Sequence, residues 1–93
     1  MAHETAVRLI VFGLVQGVGF RYAARDAAVD CGVTGWVRNL PDGSVEIVAQ
    51  GSPGAVASMT AWAERGPRHA SVGRVQVDPR PVDSGLAAFE IRR

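Results

Sequence analysis

At 93 residues the chain has room for one domain, residues 1–93, with a modest core. Apolar residues make up 47% of it, enough to fold rather than remain disordered. Ten basic residues against nine acidic ones leave a net charge of +1, which disfavours a dedicated nucleic-acid binder.

Every basic residue is arginine, so Schiff-base, general-base and Walker-type lysines are excluded. The lone Cys31 excludes an internal disulfide and a Cys-rich zinc site. No run reaches the roughly 18 apolar residues of a bilayer span. The N-terminus lacks the basic–apolar–small pattern of a signal peptide. A cytoplasmic monomer with no membrane or nucleic-acid partner is the expectation.

Val7 to Phe12 reads as a strand, with Val7, Leu9 and Val11 on one face and Arg8, Ile10 and Phe12 on the other. A Gly-rich loop follows. Arg21 to Cys31 is Ala-rich, with Phe20, Ala24, Ala27, Ala28 and Cys31 at helical spacing and Gly32 as the stop. Gly35 to Leu40 and Ser44 to Gln50 are strands around the turn Pro41-Asp42-Gly43. In the second of these, Val45, Ile47 and Ala49 share one face and Ser44, Glu46 and Gln50 the other. Ser52-Pro53 predicts an N-cap and first helical position, followed by a face of Val56, Met59 and Ala63 that ends at Gly66-Pro67. Val72 to Val77 and Ala87 to Ile91 read as two final strands. The order predicts an α+β, ferredoxin-like β-α-β-β-α-β sandwich. Two helices cover one face of an antiparallel sheet, and a short extra C-terminal strand is added. That fold hosts many functions and selects none.

The sharpest chemical feature is Gly13-Leu14-Val15-Gln16-Gly17-Val18-Gly19-Phe20-Arg21, between a strand and a helix. Such a loop can aim backbone N–H groups at one anion, and the helix N-terminus adds its own donors. A cation there is mildly disfavoured by the helix dipole, and gripping phosphate or carboxylate oxygens would explain its presence. An ordinary β-α turn with a solvated arginine fits the spacing equally well. The second feature is Asn39, the single asparagine, which shares a strand face with Val33, Gly35 and Val37. It either points toward the anion site, where an amide could hold a water, or helps form the hairpin turn.

The run Val11-x-Gly13-x-Val15-Gln16-Gly17-Val18-x-Phe20-Arg21 resembles the first signature of the acylphosphatase family. Gly35-Trp36-Val37-x-Asn39, followed by Asp42-Gly43-Ser44-Val45-Glu46, resembles its second. The resemblance covers essentially the whole chain. It implies the same sandwich fold and hydrolysis of the carboxyl–phosphate bond of acyl phosphates to a carboxylate and inorganic phosphate, without metal or cofactor. It makes Val15, Gln16, Gly17, Val18, Gly19 and Phe20 the phosphate-binding loop, Arg21 the phosphate-binding catalytic arginine and Asn39 the residue that orients the attacking water. Gly19 stands at a variable position, where a further glycine could loosen the cradle. A non-catalytic module for phosphate or carbamoyl phosphate is the alternative on the same fold. An RNA-recognition module ranks last, since only 6% of residues are aromatic.

The remaining candidates read as structural. His3 and His69 lack clustered carboxylates and are not expected to bind metal. Asp42 and Glu46 are expected to shape the hairpin and a solvent face, and Asp26 and Asp30 a solvated helix surface. Cys31, Trp36 and Trp62 are expected in the packing, and Arg92-Arg93 receives no catalytic role.

Overall fold

The computed structural model describes residues 4–93, so His3 lies outside the described residues. In chain order the elements are β1 (Thr5–Leu14), α1 (Phe20–Cys31), β2 (Thr34–Asn39), β3 (Val45–Gly51), α2 (Pro53–Arg65), β4 (Ser71–Pro79) and β5 (Phe89–Ile91). They form a five-stranded sheet in the order β4-β1-β3-β2-β5. The β1–β3, β1–β4 and β2–β3 pairs are antiparallel, whereas β5 runs parallel to β2. The sheet is therefore mixed, and the short last strand accounts for the difference from the expected antiparallel one. To reach β2 from β4, the chain must pass from one sheet edge to the other. The side chain of Gln50 pins this connection by donating to Asp83 O at 2.9 Å and accepting from Asp83 N at 2.8 Å.

Both helices follow from spacing. Phe20, Ala24 and Ala28 recur every fourth residue and are the buried face of α1. Val56, Met59 and Ala63, three and four residues apart, are the buried face of α2. They pack on the face formed by Leu9, Val11, Val37, Val45, Ile47 and Ala49, which is the alternation expected of these strands. α1 lies over β2 and β5, and α2 over β1, β3 and β4. Phe20 anchors the start of α1. It is 2% exposed, with its ring 5.3 Å from that of Trp62. Burying a side chain of this kind contributes about 1.5–3 kcal/mol.

On the other face, one expectation needs correction. Glu46 does not face solvent: it is 3% exposed and forms ion pairs with both Arg8 and Arg38. Trp36 packs here as well, with the guanidinium carbons of Arg38 and Arg92 5.1 Å and 4.7 Å from its ring centroid. The Glu46 pairs follow from cross-strand neighbours. β2 pairs Arg38 with Glu46, and β1 brings Arg8 beside them, so arginine stems form a lid over this part of the sheet. Asp42 does shape its turn, accepting from the hydroxyl and then the backbone N–H of Ser44, which together lower its carboxyl pKa. Cys31 packs half-buried against the core.

Candidate active site

α1 and α2 begin differently. At α2 the Ser52 hydroxyl accepts from Ala55 N at 3.2 Å, a conventional N-cap. At α1 the cap position is Gly19, with φ 76° and ψ 18° and no side-chain cap, and the first turn carries no acidic residue. The first helical N–H groups therefore have no intrahelical acceptor and no capping oxygen. Among the described residues, no turn or loop hydrogen bond is donated by the N–H of Val15, Gln16, Gly17, Val18 or Gly19. Gly17 shares the left-handed conformation, with φ 75°. Glycine adopts it without a Cβ penalty, so the loop can curl its N–H groups inward.

Of these, Val15, Gly17 and Gly19 line a cavity of about 120 Å³, together with Phe20, Arg21, Tyr22 and Asn39. Arg21 arrives on the first turn of α1 and Asn39 at the last position of β2. Neither has a side-chain hydrogen bond or ion pair among the described residues, so both polar ends are free for a ligand. The cavity combines unpaired N–H groups, a guanidinium fork and a side chain able to donate and accept. That set suits a tetrahedral oxyanion with a water beside it.

Most of the residues singled out in the sequence meet here, and two do not line the cavity. Val18 packs against the hydrophobic core. Gln16 turns away and donates from Nε2 to Leu40 O and Ser44 O, both at 2.8 Å. It ties the Gly-rich loop to the β2–β3 hairpin, at whose edge Asn39 stands. This brace leaves no local signal in the sequence, because its partners are backbone carbonyls 24 and 28 residues away. Tyr22 was also missed; its position beside Arg21 was the available signal. His69 is exposed in the loop before β4, and no described group of three or more His, Cys, Asp or Glu could hold a metal ion.

The acylphosphatase family profile matches residues 7–91. The chain belongs to the acylphosphatase family. It is 50% identical over 86 residues to an acylphosphatase of Rubrobacter xylanophilus, covering 92% of this chain and 78% of that one. Against an acylphosphatase of Anaeromyxobacter dehalogenans the identity is 46% over 92 residues, covering 99% of each. The crystal structure of acylphosphatase from Bacillus subtilis superposes with a TM-score of 0.91 at 36% identity, covering 96% of this chain and 99% of that one.

Proposed function

We propose that the cavity between the Gly13–Phe20 loop and the end of β2 is where this acylphosphatase breaks the carboxyl–phosphate bond. The observation that carries the reading is the meeting of Arg21 and Asn39 at the uncapped N-terminus of α1. The phosphoryl oxygens sit against the free N–H groups of the loop and first turn. Arg21 grips two of them as a fork, and Asn39 orients a water in line with the scissile bond.

The chemistry suits so sparse a site. The water oxygen bonds to phosphorus as the bond to the acyl oxygen breaks, and that electron pair leaves on the carboxylate. The departing group is the anion of an acid with a pKa near that of a glutamic acid side chain, about 4.3, so it needs no general acid. The transition state is loose, so the water needs placement more than deprotonation, and its proton passes to a phosphate oxygen or to solvent. Charge on the equatorial oxygens meets donors already in position. Loss of one such donor costs about 3–4 kcal/mol, or 10²–10³ in rate. The reading includes no metal, cofactor, nucleic acid or membrane. It takes the chain as a cytoplasmic monomer that releases inorganic phosphate. No helix among the described residues is long and apolar enough to cross a membrane.

The test is hydrolysis of benzoyl phosphate with excess EDTA. Wild type is expected to turn over. Arg21→Ala and Asn39→Ala, both folded by circular dichroism, each lose at least about 10²-fold in kcat/KM. Folded wild type that binds phosphate without hydrolysing benzoyl phosphate would identify an anion-binding module instead. Turnover that survives both substitutions would move the site elsewhere.

A further inference from the structure

A second, larger cavity opens beside the first. It has a volume of about 480 Å³ and is lined by Arg21, Tyr22, Arg25, Ile91 and Arg93. Arg21 and Tyr22 line both cavities, so the two form one continuous surface. Three arginines converge on the second, and none of them makes an ion pair among the described residues. The acidic residues of α1, Asp26 and Asp30, line the groove toward Trp62 and Arg65 instead, and Glu90 pairs with Arg92. Arg25 stands over Tyr22, its guanidinium carbon 5.6 Å from the ring centroid, which holds the charge at the cavity wall.

This arrangement is unfavourable for the helix itself. Arg21 and Arg25 are four residues apart on one helix face, where like charges repel, and Arg21 sits near the positive end of the helix dipole. β5 lies parallel to β2 and carries the chain on to Arg93, which lines this cavity and adds a further cation. An anionic group in the second cavity would neutralise this concentration of charge. Because Arg21 and Tyr22 line both cavities, phosphoryl oxygens in the first would leave the second open to the acyl half of a substrate.

We infer that the Arg21–Arg25–Arg93 cavity is a distal anion subsite, selecting acyl phosphates whose acyl half carries a second anionic group. The inference rests on the proposed function and narrows its substrate class. Arg25 and Arg93 touch the acyl half and not the reacting atoms, so their contribution is to specificity.

The experiment compares kcat/KM for benzoyl phosphate with that for 3- and 4-carboxybenzoyl phosphate, which add one carboxylate to the same ring. Wild type is expected to prefer at least one carboxylated substrate by about tenfold at low salt, with the preference shrinking as salt screens it. Arg25→Gln and Arg93→Gln each reduce that preference several-fold, and the double variant abolishes it. Both side chains are exposed, so the variants are expected to fold. Equal or lower kcat/KM for both carboxylated substrates in a wild type active on benzoyl phosphate overturns the subsite and leaves the proposed function standing. A preference that survives the double variant overturns it as well. Failure to hydrolyse any of the three overturns the proposed function, and the subsite with it.

Discussion

Truncating Gln16 to alanine cuts the brace between the Gly-rich loop and the hairpin while leaving every residue that lines the proposed reaction cavity in place. Two hydrogen bonds are lost, from Nε2 to Leu40 O and to Ser44 O. Neither carbonyl is orphaned, since Leu40 O still accepts from Gly43 N at 3.2 Å and Ser44 O from Leu40 N at 2.9 Å. The stability cost is therefore that of two ordinary hydrogen bonds, about 1–3 kcal/mol in total. For a domain of this size that lowers Tm by roughly 4–8 °C per kcal/mol. The effect on activity is expected to be larger. The brace fixes the spacing between the loop donors and Asn39, and a misplacement of about 1 Å in such a constellation costs on the order of 10²-fold. Thermal unfolding and steady-state kinetics on benzoyl phosphate, the latter well below the variant's Tm, separate the two effects. Gln16→Glu is the companion, because a carboxylate of similar size cannot donate to either carbonyl. A Tm lowered by this amount with wild-type kcat and KM would refute the reasoning, showing that the loop holds its shape unaided.

Burial pushes the Glu46 carboxyl pKa up, but hydrogen bonds and charge attraction from Arg8 and Arg38 outweigh it and hold the pKa below its ordinary value of 4.5. The stability this contributes is present above the unfolded pKa and is lost as pH falls below about 4.5 through the folded value. Glu46→Gln is expected to cost about 1–3 kcal/mol at neutral pH, less than a fully buried pair because both arginines are partly exposed, and to flatten the acid limb of a urea-melt pH profile. An unchanged acid limb would remove Glu46 from the account. Gly35→Ala would place a Cβ 1.8 Å from Val48 O at a φ of 141°, so a loss beyond about 4 kcal/mol or failure to fold is expected. Gly54→Ala on α2 meets open space, so denaturant melts should show it neutral or stabilised by up to about 1 kcal/mol. Equal effects at the two glycines would contradict the strand contact at Gly35.

Where the determinants of structure are local, the sequence was readable. Alternation in Val7–Val11 and Val45–Ala49, the Ser52-Pro53 start of α2 and the Gly32 stop of α1 each depend on a few neighbouring residues, and all appear in the fold. The juxtaposition of Arg21 and Asn39 was legible because a β-α unit and the next strand place the loop beside the end of β2. What was not legible depends on residues distant in sequence. A glutamate at an alternate strand position looks solvated until Arg8, 38 residues away, closes over it. Trp36 is legible as a packing residue, but its partner Arg92 is fixed only by where β5 carries the chain. The Arg21–Arg25–Arg93 cavity depends on the last strand taking the edge beside β2, a choice that three residues of β5 do not announce.

The missing cap on α1 links catalysis to folding. α1 contains no group that does what Ser52 does for α2, and in the proposed site an anion at its first turn would take that part. Anything that binds only the folded state stabilises it, by about 2.7 kcal/mol at a hundred times its dissociation constant. If the proposed site is the one used, each turnover would leave such an anion in place, because the product is inorganic phosphate. The donors that draw substrate in would then also delay product escape. Phosphate would be at once product, inhibitor and stabiliser, and a rise in Tm with added phosphate that Arg21→Ala removes is the expected sign of it.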